Sequence, residues 1–423
     1  MKIAIVGSGI SGLSCAYYLQ QGHEVHVYES DTRIGGHTAT VDVALGARRY
    51  SIDTGFIVYN DWTYPHFIEL MTELGVANQA TEMSFAVSDQ NTGLEYAGSS
   101  INTLFSQRGN FVSPRFWGMI RDILRFNREA VEDLEQGKIH AATTLGEYLE
   151  VHGYREAFIN QYLVPMGSAI WSSDTPAMLD FPLQFFVSFF KNHGLLSVTN
   201  RPQWRVIEGG SREYLAPLTA GFENNIHCNA RITAIVRTDT GATLKFESGI
   251  QTHFDHVVLA CHSDQALALL EEPTDIEKDV LGAMTYQAND VVLHTDVKML
   301  PRDRRTWSSW NYLLQRSEQR AVLTYNMNIL QGIDAPETFC VTLNNTAEIN
   351  PAKILGRFSY DHPVFTLQSV HAQSRWTEIN NANTWFCGAY WHNGFHEDGV
   401  RSGKRVAEAI RQQVTSLQLV NVA

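Results

Sequence analysis

Apolar residues near the amino terminus fall into short continuous runs with a helical segment between them. Lys2–Val6 has the unbroken apolar character of a parallel strand covered on both faces. Leu13–Leu19 follows as a helix that Gly22 can stop, and His23–Tyr28 forms a second strand that delivers Glu29. Pro65–Leu74 predicts a short helix, with Pro65 in its first turn, Phe67, Leu70, Met71 and Leu74 on one side, and Gly75 at its end. Phe116–Leu134 repeats apolar residues at three- and four-residue intervals. With Leu145–Leu149 and Phe158–Ile170, it predicts a mainly helical region over 66–204, broken at Trp171–Pro176. The aromatic run Phe181–Phe190 is too short and interrupted to span a membrane. Core packing is the general expectation for each phenylalanine, and their concentration suits an oily substrate channel. Asp89–Gly93 reads as a loop. Further on, Arg212–Thr219 is helix-like, and Ile226–Val236 and Phe254–Ala260 are extended. Asp290–Thr295, Ala321–Met327 and Thr338–Leu343 predict a second sheet, with Pro336, Pro351 and Pro363 marking turns.

The link between the first strand and helix is Gly7-Ser8-Gly9-Ile10-Ser11-Gly12. In such a turn the first glycine permits the bend, the second lets a pyrophosphate approach the backbone, and the third allows close helix–strand packing. The helix amino terminus offers donors to the phosphates, and an acid about twenty residues on, here Glu29, can accept ribose hydroxyls. A glycine turn alone is weak evidence. Strand, fingerprint, helix, second strand and acid in this order predict dinucleotide binding.

Arg33-Ile34-Gly35-Gly36-His37-Thr38 then begins a second glycine-rich turn, and Asp53-Thr54-Gly55-Phe56-Ile57 follows another extended segment. Together with Glu29 and a distant carboxyl-terminal segment, these residues resemble the flavin-containing amine oxidase superfamily, which includes protoporphyrinogen oxidase and phytoene desaturase relatives. The resemblance implies an α/β fold with a discontinuous Rossmann-like FAD-binding domain, gathered from 1–65, 205–270 and 378–423. A mixed helical and β-sheet substrate domain would comprise 66–204 and 271–377. It further implies that FAD is retained as a bound cofactor, contacted by Gly7, Ser8, Gly9, Ser11, Gly12, Glu29 and Ser30, then by Arg33, Gly35, Gly36, His37 and Thr38. Thr54, Gly55, Phe56 and Ile57 would approach the isoalloxazine, Ile232 the adenine, and Gly388, Gly399 and Val400 the pyrimidine edge, at the start of a closing helix over Arg401–Arg411. His37 stands where many relatives have arginine.

Two further departures bear on the reaction. Phe395 occupies the position of a cage tyrosine in resembling monoamine oxidases, and the Asn289-Asp290 neighbourhood lacks the lysine those enzymes place near the flavin. The Tyr286–Asp296 and Gly394–Gly403 runs resemble bacterial flavoproteins related to fatty-acyl desaturases. That kinship implies an FAD-dependent oxidoreductase that desaturates or dehydrogenates a lipid or fatty-acyl substrate. The alternatives are amine oxidation, flavin-dependent lipid isomerisation and flavin binding without catalysis. His396 and Glu397 are candidates for proton transfer or flavin orientation, with Glu397 alternatively capping the following helix; Tyr390 and Phe395 are candidates for the substrate mouth.

Composition narrows the remaining classes. Thirty-two Lys and Arg against 45 Asp and Glu give a formal charge of -13, which argues against broad nucleic-acid binding and strong capture by anionic lipid, while leaving local basic patches open. Five scattered cysteines suggest neither a disulfide framework nor a zinc site. The His294/Asp296 and His392/His396/Glu397 groups do not close a ligand set, so no metal is expected. With an apolar start too short for a signal peptide, the expected setting is cytoplasmic, with peripheral membrane contact left open. The expected partner is an apolar or lipid small molecule; the electron acceptor is open between oxygen, a quinone and a protein.

Overall fold

Five strands form a wholly parallel sheet in the order Ile226–His227, Glu24–Tyr28, Lys2–Val6, His256–Leu259 and Thr384–Phe386. The computed structural model describes residues 1–197, 199–315, 322–380 and 382–422. Ile3, Ile5, Val257 and Leu259 are fully buried, as expected of parallel strands with both faces covered. The Ile10–Leu19 helix and a long carboxyl-terminal helix, His396–Val422, pack together beside this sheet. Their close approach needs Gly403, where a side chain would begin 2.4 Å from the Ser11 carbonyl oxygen.

The second unit is built on a seven-stranded sheet, ordered Ile354–Val364, Thr285–His294, Cys340–Leu343, Val322–Asn326, Trp310–Leu314, Phe85–Asp89 and Leu94–Ala97. A bundle that includes Pro114–Glu135, Leu145–Val151, Val164–Trp171 and Leu183–Asn192 packs around Phe126, Phe158, Phe186 and Phe190. The chain is therefore a mixed α/β protein, with a Rossmann-like parallel sheet beside a helical and β-sheet unit.

Several expectations need correction. The region 66–204 is not mainly helical at its start: Asn78–Thr81, Phe85–Asp89 and Leu94–Ala97 are strands, and the predicted loop is the turn of a hairpin. Phe158–Ile170 is divided by a π-helical turn at Ile159–Leu163. Pro363 lies inside the long Ile354–Val364 strand, opposite Tyr286. The last helix starts at His396 rather than Arg401: Asp398 folds back to accept from the Phe395 amide at 2.9 Å, so Glu397 and Asp398 lie in the helix's first turn. Ala321, where one predicted strand begins, lies outside the described residues; Val322–Asn326 is a strand.

Candidate active site

The strand Lys2–Val6 ends at Gly7, which has φ +106°, and a side chain there would begin 2.9 Å from the Ala260 carbonyl oxygen. The following helix returns so closely that a Cβ on Gly12 would fall 2.1 Å from the Gly7 oxygen. At Gly9 the situation is reversed, with no atom within 4 Å of the corresponding point. Gly9 is the cap of Ile10–Leu19, which has neither a side-chain cap nor an acid in its first turn, so no side chain of the cap residue or first turn satisfies its leading amide donors. Buried Ser11 lies in that turn. Glu29 leaves the second strand beside this loop. Its Oε2 accepts from Ser8 N at 3.0 Å and Ser8 Oγ at 2.5 Å, and its Oε1 from Asp31 N at 2.9 Å and Ser30 Oγ at 3.3 Å.

The second glycine pair is stitched to the first loop, with Gly35 N donating to Ser8 O at 3.0 Å. Arg33 braces the turn by donating to Gly36 O at 2.8 Å and Thr38 O at 3.1 Å. Gly36 is exposed with φ +56°. Phe56 N donates to His37 O at 2.7 Å, and Gly55 is required there because its Cβ would sit 2.1 Å from that oxygen. Thr54 Oγ1 lies 3.0 Å from Tyr360 OH, while Ile57 is buried in a separate core cluster. His37 Nε2 is buried without a hydrogen-bond partner among the described residues. The His37 ring lies 5.1 Å from Tyr360, 5.6 Å from His362 and 6.5 Å from His262. Burial, reinforced by His362, His262, His396 and Arg33, holds His37 well below the ordinary imidazole value, and burial brings His362 down to about 4. Asn289 Nδ2 lies 3.2 Å from His362 Nδ1; because the amide can only donate, this contact leaves the neutral ring's proton on Nε2.

These features fit an FAD cofactor: uncapped amide donors, a glycine whose missing side chain leaves room for a diphosphate, an acid at the second strand end, and an orphaned imidazole nitrogen next to the glycine pair.

The carboxyl-terminal segment divides into two faces. His396 stacks on Phe56 at 3.6 Å, and its Nε2 lies 3.1 Å from Thr38 Oγ1, which also bonds Tyr214 OH. Burial pushes His396 down to about 3, so it is neutral at physiological pH, a state suited to orienting neighbours rather than exchanging protons. Gly399 and buried Val400 continue this face, and a Cβ on Gly399 would meet Ile10 Cγ2 at 2.6 Å. Glu397 points the other way. Its Oε1 accepts from His66 Nδ1 at 2.6 Å and His66 N at 3.2 Å, and its Oε2 from Phe67 N at 2.9 Å. It therefore caps Pro65–Glu73 rather than its own helix. Gly388 N donates to Ser402 Oγ at 3.0 Å, and Tyr390 is buried, its hydroxyl without a hydrogen-bond acceptor or donor assigned among the described residues.

Glu397 also lines a cavity of about 800 Å³. Its apolar wall includes Phe185, Phe189, Phe395, Leu367 and Val370; its polar side includes His66, His371, Glu397, Asp398 and Arg401. Phe395 stacks on Phe189 at 5.2 Å. Burial pushes the Asp398 carboxyl up to about 7, against the Phe395 and Asn393 amides, which act to lower it. The cavity and the glycine ribbon thus meet through consecutive residues, Phe395 and His396.

The structure brings the predicted residues from Gly7 to Phe56 into one ribbon and adds His396 to it. Ile232 opens a neighbouring strand close to the segment in which Ala230 N donates to Glu29 O at 2.8 Å. Sequence reasoning missed His262, His362, Tyr360, Tyr214 and Asp398. His262 had a signal, since it follows the carboxyl end of an apolar parallel strand, where α/β sheets bind ligands. Tyr360 and His362 had a weaker one, alternate positions on one face of a strand. Among the described residues there is no group of three or more His, Cys, Asp or Glu arranged to hold a metal.

The chain matches the model of the flavin containing amine oxidoreductase family over residues 10–328. It is similar to AofH of Mycobacterium tuberculosis (strain ATCC 25618 / H37Rv), whose name assigns it to the flavin-containing monoamine oxidases: 25% identity over 289 residues, covering 64% of this chain and 59% of that protein. Among solved structures, cyclohexylamine oxidase from Brevibacterium oxydans IH-35A aligns with a TM-score of 0.68 at 16% identity, covering 98% of this chain and 99% of that one. A fatty acid isomerase from P. acnes aligns with a TM-score of 0.66 at 16% identity, covering 97% and 98%. The two structural likenesses establish the fold alone, and it is the family match over most of the chain, joined to the glycine ribbon, that makes this protein a member of the flavin containing amine oxidoreductase family.

Proposed function

We propose that the protein is an FAD-dependent oxidase or dehydrogenase of a small amine with an apolar body. The observation that carries this reading is the 800 Å³ cavity, which pairs an aromatic wall with the buried carboxyls of Glu397 and Asp398 and abuts the glycine ribbon at residues 395 and 396. An ammonium group finds the Glu397 carboxylate there, beside an Asp398 carboxyl that can give up its proton near a cation, and its apolar body finds Phe185, Phe189 and Phe395. The amine reading also agrees better with the family and with AofH than lipid desaturation does.

In this proposal the FAD-binding unit gathers 1–65, 205–270 and 378–423. Gly7–Gly12 and Arg33–Thr38 would hold the diphosphate, Glu29 and Ser30 the ribose, and Ile232 the adenine. Thr54–Ile57, Gly388, Gly399 and Val400 would hold the ring system. Bound FAD supplies a two-electron acceptor. The chain's own residues bind and orient. Phe395 and Phe189 exclude water from the substrate's apolar part, and His396, held between Phe56 and Thr38, fixes the ribbon behind them. Tyr390, expected at the substrate mouth, is instead buried in the core around the parallel sheet and does not line the cavity.

A second reading is dehydrogenation of a lipid or fatty-acyl substrate. It is favoured by the phenylalanine wall and by Asn289, which braces His362 where resembling amine oxidases carry lysine. Anaerobic titration of the yellow protein tests both. Bleaching by apolar amines supports the first reading, bleaching by lipids alone moves the assignment to the second, and bleaching by neither class refutes both. Product mass analysis identifies the bond formed, and reoxidation by oxygen separates an oxidase from a dehydrogenase.

A further inference from the structure

Far from the glycine ribbon in sequence, one surface of the helical unit combines exposed apolar side chains with unpaired positive charge. From Tyr96 to Arg121 the chain carries three arginines and no acid, although the whole protein holds 45 acids and a formal charge of -13. Within this stretch Ile101 is 73% exposed, Phe111 46%, Val112 84% and Trp117 48%. Three of them are knit together: Phe111 stacks on Phe105 at 4.1 Å, Trp117 lies 5.3 Å from Phe105 and donates to Phe111 O at 2.9 Å, and Val112 is the next residue along. The surface is thus braced from below, with its apolar groups still open to solvent.

Arg108, Arg115 and Arg121 are exposed within this same stretch, Arg121 one turn beyond Trp117 on Pro114–Glu135, and among the described residues none of them pairs with a carboxylate. Arg108 is held in place by donating to Phe105 O at 2.8 Å and Asn102 Oδ1 at 2.6 Å, which fixes its position without neutralising it. Asp122, the nearest following acid, is fully buried and paired with Arg155 at 2.7 Å.

We infer that this face docks on the surface of an anionic phospholipid bilayer. Tryptophan, phenylalanine and aliphatic tips enter the headgroup–acyl boundary while arginines meet the phosphates. Among the described residues no helix is long and apolar enough to cross a membrane, so the contact is peripheral. Charge selects this occupant over a second copy of the chain, because a two-fold contact would set the three unpaired arginines against their equivalents. The apolar centre disfavours nucleic acid, which would desolvate it without replacement contacts. The inference goes beyond the proposed reaction and holds for either substrate class.

The test is co-sedimentation of the full flavin-loaded chain with vesicles of phosphatidylcholine alone and of phosphatidylcholine with phosphatidylglycerol, over a range of salt. The expected result is binding to the phosphatidylglycerol vesicles that weakens as salt rises. Each arginine contributes about fivefold, so the triple variant R108Q/R115Q/R121Q binds about a hundredfold more weakly. Val112→Asp also weakens binding, and both variants keep the parent's melting temperature and flavin absorbance. The inference is overturned by failure to bind phosphatidylglycerol vesicles at low salt, or by equal binding of parent and triple variant. Self-association that the triple variant strengthens or abolishes, in the absence of vesicle binding, overturns it in favour of a second copy.

Discussion

Replacing Glu397 by glutamine separates structural capping from acid–base chemistry. In the parent its two oxygens accept from His66 N, His66 Nδ1 and Phe67 N, at 3.2, 2.6 and 2.9 Å. Glutamine keeps one acceptor oxygen and turns an amide donor toward another donor. Phe67 is fully buried, so an unpaired amide there cannot recover water. A lost charge-assisted bond, together with a lost anion at the amino terminus of Pro65–Glu73, costs about 2–3 kcal/mol. If the 423 residues unfold as one cooperative unit with ordinary specific entropy, that corresponds to a fall of about 2–3 °C in melting temperature. Thermal unfolding followed by circular dichroism measures it, and stopped-flow flavin reduction by an active substrate gives the second readout. Capping predicts the temperature loss with a reduction rate within about tenfold of the parent, whereas acid–base participation predicts a loss of about 10²–10⁴-fold. An unchanged melting temperature with a collapsed rate refutes the reasoning.

Two further predictions use the same geometry. Gly9→Ala leaves the flavin-free chain folded, because Gly9 has extended φ -67° and ψ 175° and open space beside it, but it obstructs the proposed diphosphate path; Gly12→Ala strikes the Gly7 carbonyl and lowers stability by about 1–3 kcal/mol. Bound flavin per folded protein and the apo melting temperature check this, and normal flavin content in Gly9→Ala overturns it. Acid sensitivity is the other. Burial brings fully buried His294 down to about 4, and its Nδ1 accepts from Asp296 N at 3.0 Å, so from pH 6.5 down to about 4 the unfolded chain takes a proton that the folded chain refuses. Its contribution to stability is complete above pH 6.5 and falls by about 3 kcal/mol across that window, and His294→Gln should flatten the unfolding free energy against pH in urea titrations.

The sequence made the dinucleotide unit legible because its constraints are local. Glycines at fixed spacing, an apolar strand and a terminal acid each act within a few residues of one another. The second sheet was harder to read. Trp310–Leu314 pairs in parallel with Phe85–Asp89, more than two hundred residues earlier, and neither strand has a local pattern that names its partner. The same limit applied to Glu397. An acid before a helix reads as that helix's own cap, yet its acceptors are used by a helix over three hundred residues away in sequence. Phe185 and Phe189 could be identified as either core or cavity wall, and their places on Leu183–Asn192 make them both, with Phe186 and Phe190 turned inward.

One helix can serve both sides of this arrangement because of its period. His396, Gly399, Val400 and Gly403 follow a three- and four-residue spacing along the face that meets Ile10–Leu19 and the Thr38 ribbon. Glu397, Arg401 and Lys404 lie on another face; Glu397 and Lys404 hold Pro65–Glu73, the latter through Glu69 at 2.8 Å, and Arg401 lines the cavity. Any rotation of this helix would move both faces at once, opening the gap behind Phe56 as it shifts the carboxyls at the cavity. The two absent side chains at Gly399 and Gly403 hold the helix against its neighbour and resist that rotation. The cavity's polar end is therefore set by the same close packing that shapes the ribbon, and substrate recognition and cofactor retention should respond together to substitutions on this helix.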